Sequence, residues 1–271
     1  EDEAFAFAIP SNTKGVKFIC RDTFIGGDSH FDHPLSSRYE EIDSIIVFDN
    51  VLVPWERIFF YNNFEIAGKF LMESSFHHFA KYQVTIRQIV KTEFILGIAE
   101  LLVDTINVRE YQHIHEKLSE IIVGLETMKA LLEKSENNAV LDKWGYLRPA
   151  IFPLKVAGNI FSKLYPRYIE IIQLIGASGM ITLPTKKAFH SDIRADLDQY
   201  LQGATKTAED RVKIFRLAWD LTMSSFGTRQ MQYERFFFGD SIRAASELYF
   251  TYPKKEYVEV VIDFLKQKED L

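Results

Sequence analysis

The spacing of apolar positions changes once along this chain, near Asn62. Before it, Ala4, Phe5, Ala6, Phe7, Ala8 and Ile9 form an unbroken apolar run, the pattern of a strand buried on both faces. Val16 to Cys20 predicts a second strand ending at Arg21 and Asp22. Ile42 to Phe48 and Val51 to Phe60 predict two more, separated by Asp49-Asn50. Lys14-Gly15, Gly26-Gly27-Asp28 and His33-Pro34 punctuate the intervals. So few strands make an incomplete sheet, because three or more with a covered face are needed for stability.

From Asn62 onward the spacing becomes three and four. Phe76, Phe79, Ala80, Val84, Val90, Phe94, Ile98, Leu101, Leu102 and Thr105 predict one very long helix, and Leu118 to Leu132 a second. A third runs from about Pro149 to Ile175, with Pro153 in its first turns and Pro166 inside it, where a missing N–H predicts a kink; Gly176 and Gly179 end it. The fourth starts at Thr207, with Glu209 and Asp210 in its first turn, and carries Val212, Phe215, Leu217, Ala218, Trp219, Leu221, Thr222 and Met223. Gly227 reads as its break. Beyond it come Thr228, Arg229, Gln230, Gln232, Tyr233, Glu234 and Arg235, then Phe236, Phe237 and Phe238; a short helix from Ser241 to Phe250 and a terminal one from Lys254 to Lys268 follow. The expected fold is mainly α with a small antiparallel β part. Residues 1–61 read as part of a β domain and residues 62–271 as a helical-bundle domain.

Composition narrows the function classes. Of 271 residues, 47% are hydrophobic, enough for a substantial core, and 32 Lys and Arg against 38 Asp and Glu give a net charge of -6. With no basic stripe, nucleic acid and anionic membrane are poor partners. The single cysteine, Cys20, rules out an internal disulfide and a thiolate metal site within one chain, and suits a reducing, cytoplasmic setting. No apolar run approaches the roughly 20 residues that span a bilayer. The 23 Phe and 12 Tyr suit an aromatic core, a pocket for a flat ligand, or both.

Several groups could carry chemistry. His77-His78 opens the long helix and is either structural or a general base near neutral pH. Only Glu73 lies at ligand spacing from His77, so a metal is not expected. The glycines of Gln173-Leu174-Ile175-Gly176-Ala177-Ser178-Gly179 either permit positive φ or let a nucleotide approach the backbone. Ser36, Ser37 and Arg38 offer hydroxyls and a guanidinium to a phosphate or carboxylate, or form only a loop. Arg21 and Asp43 read as a cross-strand ion pair, or as a buried pair beside a flat ring. Thr228 and Arg229 could donate to an anion; otherwise the corner is an ordinary surface turn.

Four stretches, HPLSSRYEEIDSIIVFDNVLVPWERIF, VKTEFILGIAELL, IQLIGASGMITLPT and ADLDQYLQGATKTAEDRVKIFRLAWDLTMSSFGTRQMQYERFFFGD, resemble in order and spacing the flavin-dependent 4-hydroxyphenylacetate 3-monooxygenase large-component family. The resemblance covers essentially the whole chain and implies an acyl-CoA dehydrogenase-like C-terminal four-helix bundle preceded by the last strands of a β domain, with an N-terminal helical domain missing. It implies FAD, supplied as FADH2 by a separate flavin reductase, and O₂ as co-substrate, with a flavin C4a-hydroperoxide hydroxylating 4-hydroxyphenylacetate or a similar phenol ortho to its hydroxyl. By position, Arg229 with Gly227 and Thr228 would face the flavin or its phosphates. Gln173, Gly176, Ser178 and Gly179 would meet the adenine end. His77 or His78 would stand near the substrate hydroxyl, and Arg21 and Asp43 would shape the pocket behind it, with Ser36 also among the cofactor-binding residues. A homodimer or homotetramer is implied. On this reading the chain is a C-terminal fragment, expected to be inactive alone; the alternative is a non-catalytic helical oligomerisation module. The related 4-hydroxybutyryl-CoA dehydratases require a cluster-ligating cysteine about two turns after the helix histidine, where Val84 and Thr85 stand, so an iron–sulfur cluster is not expected.

Overall fold

Strand gives way to helix at Asn63, whose side chain accepts the Ile66 N–H and caps the first helix after the sheet segment. The computed structural model describes residues 4–237 and 239–266; Phe238 and the end of the predicted terminal helix lie outside the described residues. In chain order the elements are β1 (Phe5–Phe7), β2 (Val16–Cys20), α1 (Ser36–Tyr39), β3 (Ser44–Phe48), β4 (Ile58–Tyr61), α2 (Phe64–Glu73), α3 (Phe76–Ile106), α4 (Gln112–Asn137), β5 (Val140–Leu141), β6 (Leu147–Arg148), α5 (Ile151–Gly176), α6 (Arg194–Tyr200), α7 (Ala208–Thr222), α8 (Ser225–Phe236), α9 (Ser241–Thr251) and α10 (Lys255–Lys266).

The protein is mainly helical, with small antiparallel sheets. β1 pairs with β4, and β2 pairs with β3 in the register Phe18 to Ile46. These are separate two-stranded ladders. The strand expected from Val51 to Phe60 is shorter than its apolar content suggests. Pro54 leads into a tight turn at Trp55–Arg57, and pairing resumes only at Ile58. Nor is the first strand buried on both faces, since Phe5 is exposed and Phe7 half-buried.

The long helices α3, α4, α5 and α7 pack on one another around Ile98, Leu102, Ile121, Met128, Phe161, Tyr168, Ile172 and Phe215, all buried. α5 continues through Pro166 as one helix. Among the described residues no helix is long and apolar enough to cross a membrane.

The predicted break at Gly227 is a correction. α7 ends at Thr222, and Ser224 caps the next helix by accepting the Gly227 N–H at 3.0 Å, which places Gly227 in the first turn of α8. The Ser224 hydroxyl also donates to the Asp220 carbonyl at 2.7 Å. One side chain thus satisfies a free carbonyl of α7 and a free N–H of α8. Ser224→Ala is expected to lower stability by about 1 kcal/mol and the thermal midpoint by roughly 2–4 °C, read by calorimetry.

Candidate functional site

The corner between α7 and α8 meets the strand segment at a cleft. Its open volume of about 760 Å³ is lined by Phe24 and Asp43 from the strand side, and by Met223, Thr228, Arg229, Gln232, Tyr233, Phe236 and Phe237 from the helices. Exposed Met223 and Phe236 add to an apolar lining. Thr228 sits on the first turns of α8 because the Ser224 cap directs that turn outward, with the Thr228 N–H donating to the Ser224 carbonyl at 2.9 Å.

Asp43 joins the two sides. Its carboxylate accepts from Arg229 through Nε at 3.1 Å and Nη2 at 2.5 Å, and from Arg21 Nε at 2.9 Å. Such a forked pair is directional as well as charged. The Arg229 hydrogen bonds, followed by that of Arg21, hold the Asp43 carboxyl well below the usual carboxylate range, and Asp43 in turn raises the Arg229 guanidinium above its ordinary value. Arg21 completes its donor set on Glu40 Oε1 at 2.8 Å and on the carbonyls of Asp22 and Glu41. Arg21 and Asp43, read as either a cross-strand ion pair or a pair beside a flat ring, are thus part of a larger group that includes Arg229.

Behind the cleft, α8 is anchored by a buried carboxylate. The Glu234 side chain is 0% exposed. It accepts from Arg87 Nη1, from Arg87 Nη2 at 3.0 Å, and from Lys91 Nζ at 2.6 Å. Arg87 and Arg229 both lie against the ring of Tyr233, at 5.1 and 5.0 Å from its centroid. Burial pushes the Lys91 ammonium below its ordinary value, opposed by Glu234. The three-four spacing shows Arg87 and Lys91 one turn apart on α3, but nothing in it reveals a carboxylate between them.

The other predicted residues fall elsewhere. Ser36 does not line the cleft: it is buried, and its N–H and Oγ donate to Asp220 Oδ2 at 2.8 and 3.2 Å. A phosphate there would face a buried carboxylate. Asp220, which also accepts the Leu35 N–H at 2.7 Å, fixes α1 to α7, and its only sequence signal is a lone acid in the apolar run Trp219 to Thr222.

His77 and His78 do not line the cleft with Arg229. α3 passes behind the cleft at Arg87 and Lys91, roughly 13 and 20 Å along the helix from His78. Half-buried His78 places Nδ1 2.9 Å from the Pro149 carbonyl oxygen, and burial lowers its proton affinity.

Gln173, Gly176, Ser178 and Gly179 are not among the residues that line the cleft. Gln173 Nε2 donates to the Thr222 carbonyl at 3.3 Å. Neither glycine has positive φ; that backbone falls on Ala177, with φ 44°. The glycines instead admit close neighbours, since an added Cβ would stand 2.2 Å from Met180 Sδ at Gly176 and 2.9 Å from Phe215 Cε1 at Gly179. Beside Gly179, Arg211 stacks on Phe215 at 4.8 Å, and its Nη1 has no hydrogen-bond partner. Among the described residues no group of three or more His, Cys, Asp or Glu could hold a metal ion.

A family model described as 4-hydroxyphenylacetate 3-hydroxylase C terminal matches residues 67–266, and its N-terminal counterpart matches residues 1–60. A probable 4-hydroxyphenylacetate 3-monooxygenase of Bacillus subtilis is 68% identical over 97% of this chain and 55% of its own length. The 4-hydroxyphenylacetate 3-monooxygenase oxygenase component of Thermus thermophilus is 47% identical over 98% of the chain and 56% of its own length. The chain thus spans about half the length of these relatives.

A crystal structure of such an oxygenase component, complexed with FAD and 4-hydroxyphenylacetate, superposes with a TM-score of 0.94 at 46% identity, over 97% of this chain and 56% of that one. An archaeal 4-hydroxybutyryl-CoA dehydratase shares the fold, with a TM-score of 0.83 at 19% identity over 99% of this chain and 54% of that one. On the strength of the match across residues 67–266, the chain belongs to the 4-hydroxyphenylacetate 3-hydroxylase family.

Proposed function

We propose that this chain forms the later strands and the helical bundle of a two-component monooxygenase that uses reduced FAD from a separate reductase to hydroxylate 4-hydroxyphenylacetate, or a similar phenol, ortho to its hydroxyl. The observation that carries the reading is the cleft: about 760 Å³, walled by Phe24, Tyr233, Phe236 and Phe237, with Thr228, Gln232 and Arg229 as its polar groups. That combination suits a flat, mostly apolar ring with polar edges. The relatives' names and the FAD-bound oxygenase structure support the same ligand.

The residues fit the cofactor. Arg229 lines the cleft, and its Nη1 is buried without a hydrogen-bond partner. When bound, reduced flavin with O₂ supplies the oxygen-transfer chemistry. The chain's own part is to hold the ring between aromatic walls, to offer the Thr228 hydroxyl and the Gln232 amide to its edge, and to keep water from the reacting face. Gln173, Gly176, Ser178 and Gly179, with Arg211 beside them, would meet the adenine end of a cofactor held partly by another copy. His77 and His78 would approach a phenol only from outside this cleft.

Arg229→Ala in the full-length protein is expected to raise the Kd for reduced FAD about tenfold or more, measured anaerobically by flavin fluorescence. Unchanged affinity would reduce the Arg229 corner to a structural joint.

A further inference from the structure

One carboxylate governs two aromatic walls at the mouth of the cleft. Asp43 Oδ2 accepts from both Arg21 Nε and Arg229 Nε, and Oδ1 from Arg229 Nη2. Each guanidinium lies in turn over a ring that lines the cleft: Arg21 is 4.0 Å from the centroid of Phe24 and Arg229 is 5.0 Å from that of Tyr233. The Phe24 N–H donates to Glu40 Oε1 at 2.9 Å, the oxygen that also receives Arg21 Nη1. Tyr233 is held on α8 by Arg87 and the buried Glu234. The path from wall to wall therefore runs Phe24, Arg21, Asp43, Arg229, Tyr233. Both planar guanidiniums are oriented by the same carboxylate.

The charges around Asp43 bear on which part of a ligand fits. Arg21 and Arg229 are matched against Glu40, Glu41 and Asp43, with Glu41 Oε2 3.6 Å from Arg229 Nη1. The two guanidiniums are already matched by carboxylates, so this mouth suits an uncharged ring better than a pyrophosphate. In this arrangement Arg229 supports a wall of the cleft.

We infer that Asp43 is a positioning residue: by holding Arg21 and Arg229 together it sets the gap between Phe24 and Tyr233, and thereby the affinity of the cleft for the ring end of the flavin dinucleotide. The inference rests on the reading that the cleft receives that ring. Removing the Asp43 charge leaves Arg229 with Glu41 at 3.6 Å and cuts its link to Arg21, which stays on Glu40 and on the Asp22 and Glu41 carbonyls, so the two rings lose their common support.

The test is Asp43→Asn in the full-length protein, titrated separately with FAD and with ADP, which has the phosphates and lacks the ring. The FAD Kd should rise about tenfold or more, with the visible band of bound flavin moving toward that of free FAD, while the ADP Kd stays constant. Equal weakening of FAD and ADP would overturn the inference, because it would reflect general loss of structure. Tyr233→Ala separates the two readings. If it weakens FAD binding while Asp43→Asn keeps wild-type affinity and spectrum, the cleft binds the ring and Asp43 does not set its walls. If both variants are wild-type in affinity and spectrum, the cleft does not receive the flavin ring, and the inference falls with that reading.

Discussion

Gly227→Ala is expected to cost about 3 kcal/mol or more, and to lower the thermal midpoint by roughly 6–12 °C. The reason is a close approach between two helices at a sharp corner. A Cβ at this position would stand 2.4 Å from the Leu221 carbonyl oxygen, 2.6 Å from the Leu221 carbonyl carbon and 2.8 Å from the Asp220 carbonyl oxygen. All three are backbone atoms, so no side chain can swing aside. Relief requires α8 to move off the end of α7, and that movement breaks the Ser224 cap and shifts Thr228 and Arg229 together. The same added methyl in the exposed interior of a helix would usually stabilise, because alanine is the better helix former by about 1 kcal/mol. The sign of the change therefore discriminates between a glycine kept for close packing and one that merely interrupts a helix. Calorimetry reads the stability, and a FAD titration of the same variant would show the cleft opening with it.

That contrast also shows which parts of the molecule were legible in the sequence. The bundle was, because a long run of apolar residues at three and four spacing admits few structures besides an amphipathic helix, and α3 covers Phe76–Ile106 as its pattern predicts. The sheet segment was read less well. Apolar content alone suggested a strand from Val51, whereas Pro54 cannot donate to a ladder and turns the chain first. Gly227 was misread because propensity treats glycine as a breaker, while the atoms that require it belong to the preceding helix.

The site was the least legible part. Arg229 and Asp43 lie 186 residues apart, and Arg87 and Glu234 lie 147 apart. Local pattern carries no information about such pairs, so Arg21 and Asp43 stood open between a strand pair and a pair beside a flat ring, with no link to Arg229, and Glu234 was one polar residue among several. The family resemblance supplied the flavin, and the structure supplied the grouping.

Glu234→Ala is expected to be the most damaging substitution of a charged residue near the cleft, costing about 3–5 kcal/mol at neutral pH. Glu234 is fully buried and receives Arg87 and Lys91, whose side chains are 25% and 22% exposed. Removing it leaves two cations facing each other with no carboxylate between them. Arg87 cannot release its proton and keeps its stacking on Tyr233 and Phe237. Lys91 can. Burial already holds its ammonium below the ordinary lysine value despite Glu234, and without that carboxylate the folded-state value falls further.

The unfolded chain keeps the ordinary lysine value of about 10.4. Below the folded-state value both states hold the proton, and the variant bears the whole cost of a largely buried ammonium with no counter-charge, left with the Gln230 amide oxygen at 3.2 Å. Between the two values the unfolded chain binds more protons than the folded one, so stability rises with pH. Glu234→Ala should therefore be least stable at neutral and acid pH and recover part of its loss on the alkaline side, approaching pH 10. Denaturant melts of the variant and of wild type at pH 7 and pH 9 check this. A loss of equal size at both would place the cost in packing around Tyr233 rather than in the stranded charge.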